Sequence, residues 1–374
     1  MPLPQQIIGT LFRSLRLLDV PDVAQHVKFQ ALRRRYYDLF WANVAREVGA
    51  DFRKWDGGCH RLTRNGTVII VRGPEVRLDD HLTLNLMGNK ALTYELLAEQ
   101  GLPVPRHVRF PVTDMSKAAA LLRDAGRPLV MKPTFGTGGG RGVTTGITTL
   151  SSLRRAALWA ARFDTDLIAE EQIEGRSWRL LFVDGRFLDA VRRDPPRVLG
   201  DGIRSIAALA AAENRGRLRG QPFTALSPIR LDRECTDYLA AQGITTRAVP
   251  SAGEIVILKR AVNENASAQN HSQRDLIHSS TIAACAQITQ NLGVRLAGID
   301  IIAHDISRAL TRDNGIIGEI NTTPGLHHHD LAATRAPGYS VAATLVNYMF
   351  ETRSGTVSLP GSAQSSPQLR MAAG

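Results

Sequence analysis

The sequence predicts an α+β protein, and three observations carry that expectation. Short Ile-rich runs stand between turn signals: Gly298-Ile299-Asp300-Ile301-Ile302 and Ile317-Gly318-Glu319-Ile320-Asn321, separated by Asp313-Asn314-Gly315 and followed by Pro324-Gly325. Such runs are the pattern of buried strands, here joined as a hairpin. Helical periodicity with clean stops appears elsewhere, as in Asn89 to Gln100 closed by Gly101 and Pro103. The third observation is the apolar run Pro128-Leu129-Val130-Met131-Lys132-Pro133, which leads straight into a glycine-dense loop.

Length and charge set the outer bounds. The 374 residues are 43% hydrophobic, enough for a large core and two or three domains. The net charge of +11 comes from arginines spread along the chain, with one cluster at Arg33-Arg34-Arg35. An Arg-rich surface that suits anionic small molecules explains this better than a nucleic-acid interface. Cys59, Cys235 and Cys285 show neither a disulfide framework nor zinc spacing, so a reducing cytoplasm is the expected home. No signal peptide or membrane span is expected, because Arg13 and Arg16 interrupt the only apolar stretch near the start.

In chain order, residues 1–86 read as a small α/β module. Leu39, Phe40, Val44 and Val48 fall at helical spacing on a core stripe, and Asn65-Gly66 marks a type I′ turn between the runs 59–64 and 67–71. Lys90 then opens a helix, where the dipole disfavours a cation unless an anion compensates. Lys132 ends the next strand, and Phe135 to Val143 follows, carrying Gly136, Gly138, Gly139, Gly140 and Gly142. Backbone without side chains approaches a polyphosphate closely and turns N–H groups toward its oxygens, with Thr137 or Arg141 as added donors. The loop matches neither the Walker A pattern nor the dinucleotide fingerprint. Lysine is scarce, at 28, 54, 90, 117, 132 and 259 only, so three of six stand where a compact charge would meet phosphate.

Leu167 to Ile173 reads as a strand leading to a hinge, followed by a strand over 180–183 that turns at Asp184-Gly185. Glu170 and backbone carbonyls at that hinge are candidates for an adenine amino group. On the hairpin, Glu319 and Asn321 share one strand face, and Asp300 joins them from its neighbour. For a lone E-x-N, hydrogen-bonded strand ends are the ordinary explanation. Two carboxylates and an amide oxygen on adjacent apolar strands instead suit a hard cation such as Mg²⁺. Leu326 to Asp330 holds His327-His328-His329, read as a substrate-facing loop in preference to a zinc site. Val341 to Phe350 closes as an amphipathic helix, and 353–374, rich in Ser, Gly, Ala and Pro, is expected to be a disordered tail.

Taken in order, Lys90, Val130-Met131-Lys132-Pro133, Gly139-Gly140-Arg141-Gly142-Val143, Glu170-Glu171-Gln172-Ile173-Glu174-Gly175-Arg176, Gly200-Asp201-Gly202, Leu258-Lys259-Arg260-Ala261-Val262-Asn263, Gly298-Ile299-Asp300 and Gly318-Glu319-Ile320-Asn321-Thr322-Thr323-Pro324-Gly325-Leu326 resemble the ATP-grasp superfamily, in its cyanophycin-synthetase and glutathione-synthetase-like branch. The resemblance spans roughly residues 88 to 345, and the ordered combination is far more specific than any one piece. It implies two α+β subdomains, 87–175 and 176–352, gripping ATP between antiparallel sheets. The implied activity is carboxylate–amine ligation through an acyl phosphate, with ADP and phosphate released. By position, Lys90, Lys132, Gly138, Gly139, Gly140 and Gly142 correspond to nucleotide-phosphate groups, and Glu170, Glu171 and Ile173 to the adenine hinge. Lys259 corresponds to the cation on the transferring phosphate, with Arg141 and Asn263 beside it. Asp300, Glu319 and Asn321 correspond to the Mg²⁺ ligands, Mn²⁺ being an acceptable substitute. Ser177 stands where the family often has an acidic ribose ligand, and Glu264 to His271 replaces a glycine-rich loop. Small-molecule carboxylates and amines are the implied partners, and a homodimer fits such an enzyme. An ATP-grasp kinase, a ligase that modifies a polypeptide, and an inert nucleotide binder are the rival readings.

Overall fold

Two antiparallel sheets dominate the computed structural model, which describes residues 9, 10, 12, 14, 20–135, 140–221, 223–334 and 338–358. The first is four-stranded, with His107–Pro111, Asp166–Glu171, Leu129–Pro133 and Thr144–Ile147 side by side in that order. Helices Ser116–Asp124 and Leu150–Ala160 supply its core with Leu121, Leu153, Ala156 and Ala157 against Leu129, Met131 and Leu167. The second sheet is five-stranded, in the order Asn270–Ser272, Arg186–Arg193, Arg176–Val183, Leu296–Ala303, Gly315–Asn321. Helix Ser279–Asn291 packs on it through Cys285 and Ile288, beside Ile299 and Ile301. The Ile-rich hairpin is therefore real, antiparallel, and in a register that sets Asp300 opposite Glu319.

Helix Val20–Glu47 and the strands Asp51–Lys54, Cys59–Arg64 and Thr67–Arg72 form the N-terminal part. Asn65 and Gly66 both take positive φ, as the I′ turn requires. The apolar side of this part buries Tyr37, Phe40, Trp41, Val44 and Val48 in one core with Leu345 and Met349 of helix Val341–Thr352 and Leu181 and Leu296 of the second sheet. Removing the indole of fully buried Trp41 would cost roughly 3–5 kcal/mol. Leu39, expected on the core stripe, is instead 56% exposed, because its turn of the helix presents Phe40 and Tyr36 inward.

Two further features depart from expectation. The tail does not begin at 353: Thr356–Ser358 pairs with Thr67–Ile69 as an edge strand, since that edge offered unpaired backbone groups. The remainder of the expected tail, 359–374, lies outside the described residues. Within 176–352, the pair Arg197–Leu199 and Ile255–Ile257 joins helices Ile206–Arg219 and Arg233–Ala240 around a separate core of Ile206, Leu239, Val256 and Leu258. Residues 197–258 thus form a lobe inserted between the paired strands Arg186–Arg193 and Asn270–Ser272, which the sequence reading left unmarked.

Candidate active site

Between the sheets lies a cleft of about 1380 Å³. Lys90, Lys132, Gly140, Arg141, Gly142, Glu170, Glu171, Ile173, Ser177, Asn263, Asp300, Glu319 and Asn321 all line it. Gly138 and Gly139 lie outside the described residues. Lys259 lines a smaller adjoining space with Gly140, Asn263, Asp232, Glu234 and Glu264.

Local structure explains how each group arrives there. Asn89 caps helix Lys90–Glu99 by accepting from the Leu92 N–H, which fixes Lys90 at the helix start; its Nζ lies 3.6 Å from Glu319 Oε1, the anion that its position called for. Lys132 leaves its strand toward the cleft and sits 2.5 Å from Glu170 Oε1. The other Glu170 oxygen lies 2.9 Å from the Tyr94 hydroxyl, which also reaches the Gly318 carbonyl at 2.8 Å. Burial and the Glu170 carboxylate push the Tyr94 phenol well above its usual range, so it stays a neutral donor. Both Glu170 carboxylate oxygens are thus engaged by protein groups.

Gly175, in the hinge, runs against the next strand so closely that a Cβ would lie 2.5 Å from the Ala303 carbonyl oxygen. Gly140 is just as constrained, at φ +68°, where a Cβ would lie 2.7 Å from Asn263 Nδ2. Asn263 in turn accepts from Arg193 Nη2 at 3.1 Å through its side-chain oxygen. The end of the glycine loop, Asn263 and Arg193 are thereby locked into one contact chain.

The carboxylate cluster has a partner that spacing did not disclose. Arg179, directly across from Asp300 in the sheet, holds it with two parallel bonds of 2.6 Å, Nε to Oδ1 and Nη2 to Oδ2. Arg193 Nη1 stands 3.9 Å from Oδ2, and Asn321 Nδ2 is 3.4 Å from the same oxygen. Burial alone would raise the Asp300 pKa, but the two guanidiniums and the amide outweigh it and hold the carboxyl below its ordinary value. Arg193 shows the opposite balance: burial, and then Arg179, bring it down to about 10. Among the described residues no group of three or more His, Cys, Asp or Glu forms a metal cluster. The donor set here is two carboxylates and an amide. It suits a hard dication that brings phosphate oxygens to complete its shell, and ionised Asp300 and half-exposed Glu319 on facing strands fit that use.

Lys259 is 2% exposed and clamped, with Nζ 3.0 Å from both oxygens of Asp232 and 2.9 Å from Glu264 Oε2. Burial opposes its charge, yet Glu264, Asp232 and Glu234 raise its pKa overall. Asp232 does double duty, capping helix Arg233–Ala240 by accepting from the Cys235 N–H. Glu234 is pushed up to about 7, first by burial and then, against Lys259 and the Ala261 N–H, by Asp232 and Glu264.

The His triplet forms a short helix, His327–Asp330, rather than a loop. His327 Nδ1 lies 2.7 Å from the Tyr37 hydroxyl, and His329 Nδ1 lies 2.7 Å from Asp189 Oδ2 in the core. His327 and His328 line the cleft. Residues missed from the sequence are Tyr94, Arg179, Arg193, Asp232, Glu234 and Glu264; only Arg179, a cation set between Trp178 and the apolar run Leu180 to Val183, left a visible signal.

This architecture, two antiparallel sheets enclosing Lys90 and Lys132, Gly140 and Gly142, and a strand-borne oxygen cluster, is that of the ATP-grasp fold. The cyanophycin synthetase of Trichormus variabilis is 32% identical over 272 residues, 72% of this chain and 30% of that protein. The glutathione biosynthesis bifunctional protein of Clostridium perfringens is 26% identical over 254 residues, 67% of this chain and 32% of that one. In structure, the bifunctional glutathione synthetase of Pasteurella multocida superposes with a TM-score of 0.53 at 24% identity, covering 81% of this chain and 42% of the other. No family model matches. The chain belongs to the ATP-grasp superfamily, and it spans about a third of the length of the curated relatives it matches.

Proposed function

We propose that the chain forms an amide or peptide bond from a carboxylate and an amine at the expense of ATP, through an acyl phosphate, on amino-acid-like small molecules. The observation that carries this reading is the meeting of Lys90 and Lys132 with Asp300, Glu319 and Asn321 in one cleft between two sheets. In it, Lys90, Lys132 and the loop around Gly140 and Gly142 hold the phosphates, and the backbone of Glu170 to Ile173 receives the adenine. Ser177 lies on the ribose side. A Mg²⁺ held by Asp300, Glu319 and Asn321 would supply charge neutralisation at the phosphates. The substrate carboxylate attacks the γ-phosphorus and ADP leaves; the amine then attacks the acyl carbon, expelling phosphate. Phosphoryl transfer asks the protein mainly for positioning and charge, so Lys259, Arg141 and Asn263 act by stabilising the transferring group. Lys259 meets it by giving up one of its two carboxylate partners. The acyl phosphate must be kept from water, a task that falls to the glycine loop.

No helix among the described residues is long and apolar enough to cross a membrane, and all three cysteines are free. Both fit a cytoplasmic enzyme of small molecules. The test is product analysis with ATP, Mg²⁺, amino acids and hydroxylamine. ADP, phosphate and a hydroxamate are expected. AMP and pyrophosphate would overturn the mechanism, a stable phosphorylated product would indicate a kinase, and a mass shift on a polypeptide would move the acceptor to protein.

A further inference from the structure

The N-terminal helix does more than fill a core. Gln25, His26, Phe29, Gln30 and Arg33 recur at helical spacing, and all five line the ATP-grasp cleft. They stand outside the stretch that carries the nucleotide motifs, so this wall belongs to whatever is joined rather than to ATP.

We propose that Arg33 binds a carboxylate carried by the amine substrate, so that the acceptor of this ligase is an amino acid held against the N-terminal helix. The inference rests on the ligase reading above and names its acceptor. Arg33 is half-buried, and its Nε is buried without a hydrogen-bond partner. Among the described residues no carboxylate pairs with it; its guanidinium instead lies 5.8 Å from the Tyr37 ring centroid and hydrogen-bonds the Tyr37 side chain, while Nε stays unpaired. Nearby Asp330 is bonded by Tyr36 at 2.8 Å. Arg33 is therefore a cation facing a cleft without its anion, where most other cations of the site have theirs. A guanidinium fork matches a carboxylate in two parallel bonds, and a partly desolvated one gains most from it.

Beside Arg33 stands a group suited to the other end of an amino acid. Tyr37, one turn along the same helix, bonds His327, and the next residue, His328, has a buried Nδ1 without a partner. Burial first, then Arg33, Arg179 and Arg193 at His327, and burial followed by His327, Arg193 and Arg179 at His328, keep both well below the usual histidine range, so both are neutral. A neutral imidazole nitrogen accepts a hydrogen bond from an amino group, whereas a guanidinium cannot. A cation without a carboxylate partner and a neutral imidazole with an unpartnered Nδ1, at the same end of the cleft, match the carboxylate and the amino group of one molecule.

The test compares wild type with Arg33→Gln and Arg33→Lys, using the proteinogenic α-amino acids and their α-carboxamides as probes. Binding is read by thermal shift and calorimetry with a non-hydrolysable ATP analogue and Mg²⁺, and ADP release is followed separately. Wild type should prefer at least one amino acid over its carboxamide by about 10- to 100-fold, the span for one charge-assisted pair. Arg33→Gln should erase that preference while leaving carboxamide and nucleotide affinity within about twofold, and Arg33→Lys should restore part of it. Three results overturn the proposal: a wild type that prefers no amino acid to its carboxamide, an Arg33→Gln variant that keeps the preference, or one that weakens acid and carboxamide alike. Failure to split ATP to ADP would sink the ligase reading instead, while the binding preference would still report on Arg33.

Discussion

Glu234 offers a perturbation whose size can be worked from its surroundings. It is 4% exposed, its Oε1 accepts the Ala261 N–H at 3.0 Å, and it shares the Lys259 pocket with Asp232 and Glu264. Burial first, and the neighbouring carboxylates second, move its pKa from the ordinary 4.5 to about 7. The native state then holds the proton more tightly than the unfolded chain does. The stability contributed by protonated Glu234 is fully present below its unfolded pKa and is lost as pH climbs through about 7. Linkage puts that loss at about 2.5 kcal/mol between roughly pH 5 and pH 8. Glu234→Gln keeps an oxygen for the Ala261 N–H and removes the titration. Urea melts of both proteins at pH 5, 6, 7 and 8 should show the wild type losing about 2.5 kcal/mol more than the variant across that range. Hydrogen exchange of helix Arg233–Ala240 should localise the difference to the inserted lobe. Parallel profiles, agreeing to within about 0.5 kcal/mol, would refute the burial argument.

Asp300→Asn should both stop turnover and unsettle the fold by about 3–5 kcal/mol, because it leaves Arg179 and Arg193 buried without an anion. Glu319→Gln, on a side chain 36% exposed, should stop turnover while shifting stability by less than about 1 kcal/mol; thermal melts and ADP release separate the two. Lys132→Met should weaken ATP binding and destabilise by about 3 kcal/mol through orphaned Glu170, and adding Glu170→Gln should recover more than half the stability but none of the ATP affinity. Gly140→Ala should lower kcat by displacing Asn263 and cost more than Gly49→Ala. Gly49 has a similar φ of +66° and nothing within 4 Å of a Cβ, so it measures the backbone cost alone, about 1 kcal/mol.

What was legible in the sequence is what short-range physics writes there. The Asn65-Gly66 turn, the cap and stop around Lys90–Glu99, and the alternation that sets Glu319 and Asn321 on one face all depend on neighbours within a few residues. Pairings that depend on the sheet were not legible. Arg179 and Asp300 are 121 residues apart, and Tyr94 and Glu170 are 76 apart, so no local period could join them. The same holds for the N-terminal helix, whose aromatic stripe announced a core but not that its other face walls the cleft. Leu39 and the strand Thr356–Ser358 were misjudged because both turn on what the rest of the chain leaves uncovered.

The charges of the site, taken together, constrain the order in which ligands can settle. Each lysine proposed to meet phosphate already has a carboxylate, but the three pairs differ in depth. Lys132 and Glu170 lie 2.5 Å apart and are braced by Tyr94, so breaking them would strand a buried anion. Lys259 faces two carboxylates at 3 Å or less with 2% of its surface exposed, and a phosphate approaching it meets net negative charge first. Lys90 and Glu319 form the loosest pair, at 3.6 Å, with Glu319 36% exposed. At that separation, and with Glu319 open to solvent, it exchanges partners at less cost than the other two. A cation accepted by Glu319 would release Lys90 to an anion, and an anion on Lys90 would release Glu319 to a cation. Under the proposed function, metal and polyphosphate would therefore favour each other at this pair, with Lys259 following once the added positive charge offsets Asp232 and Glu264.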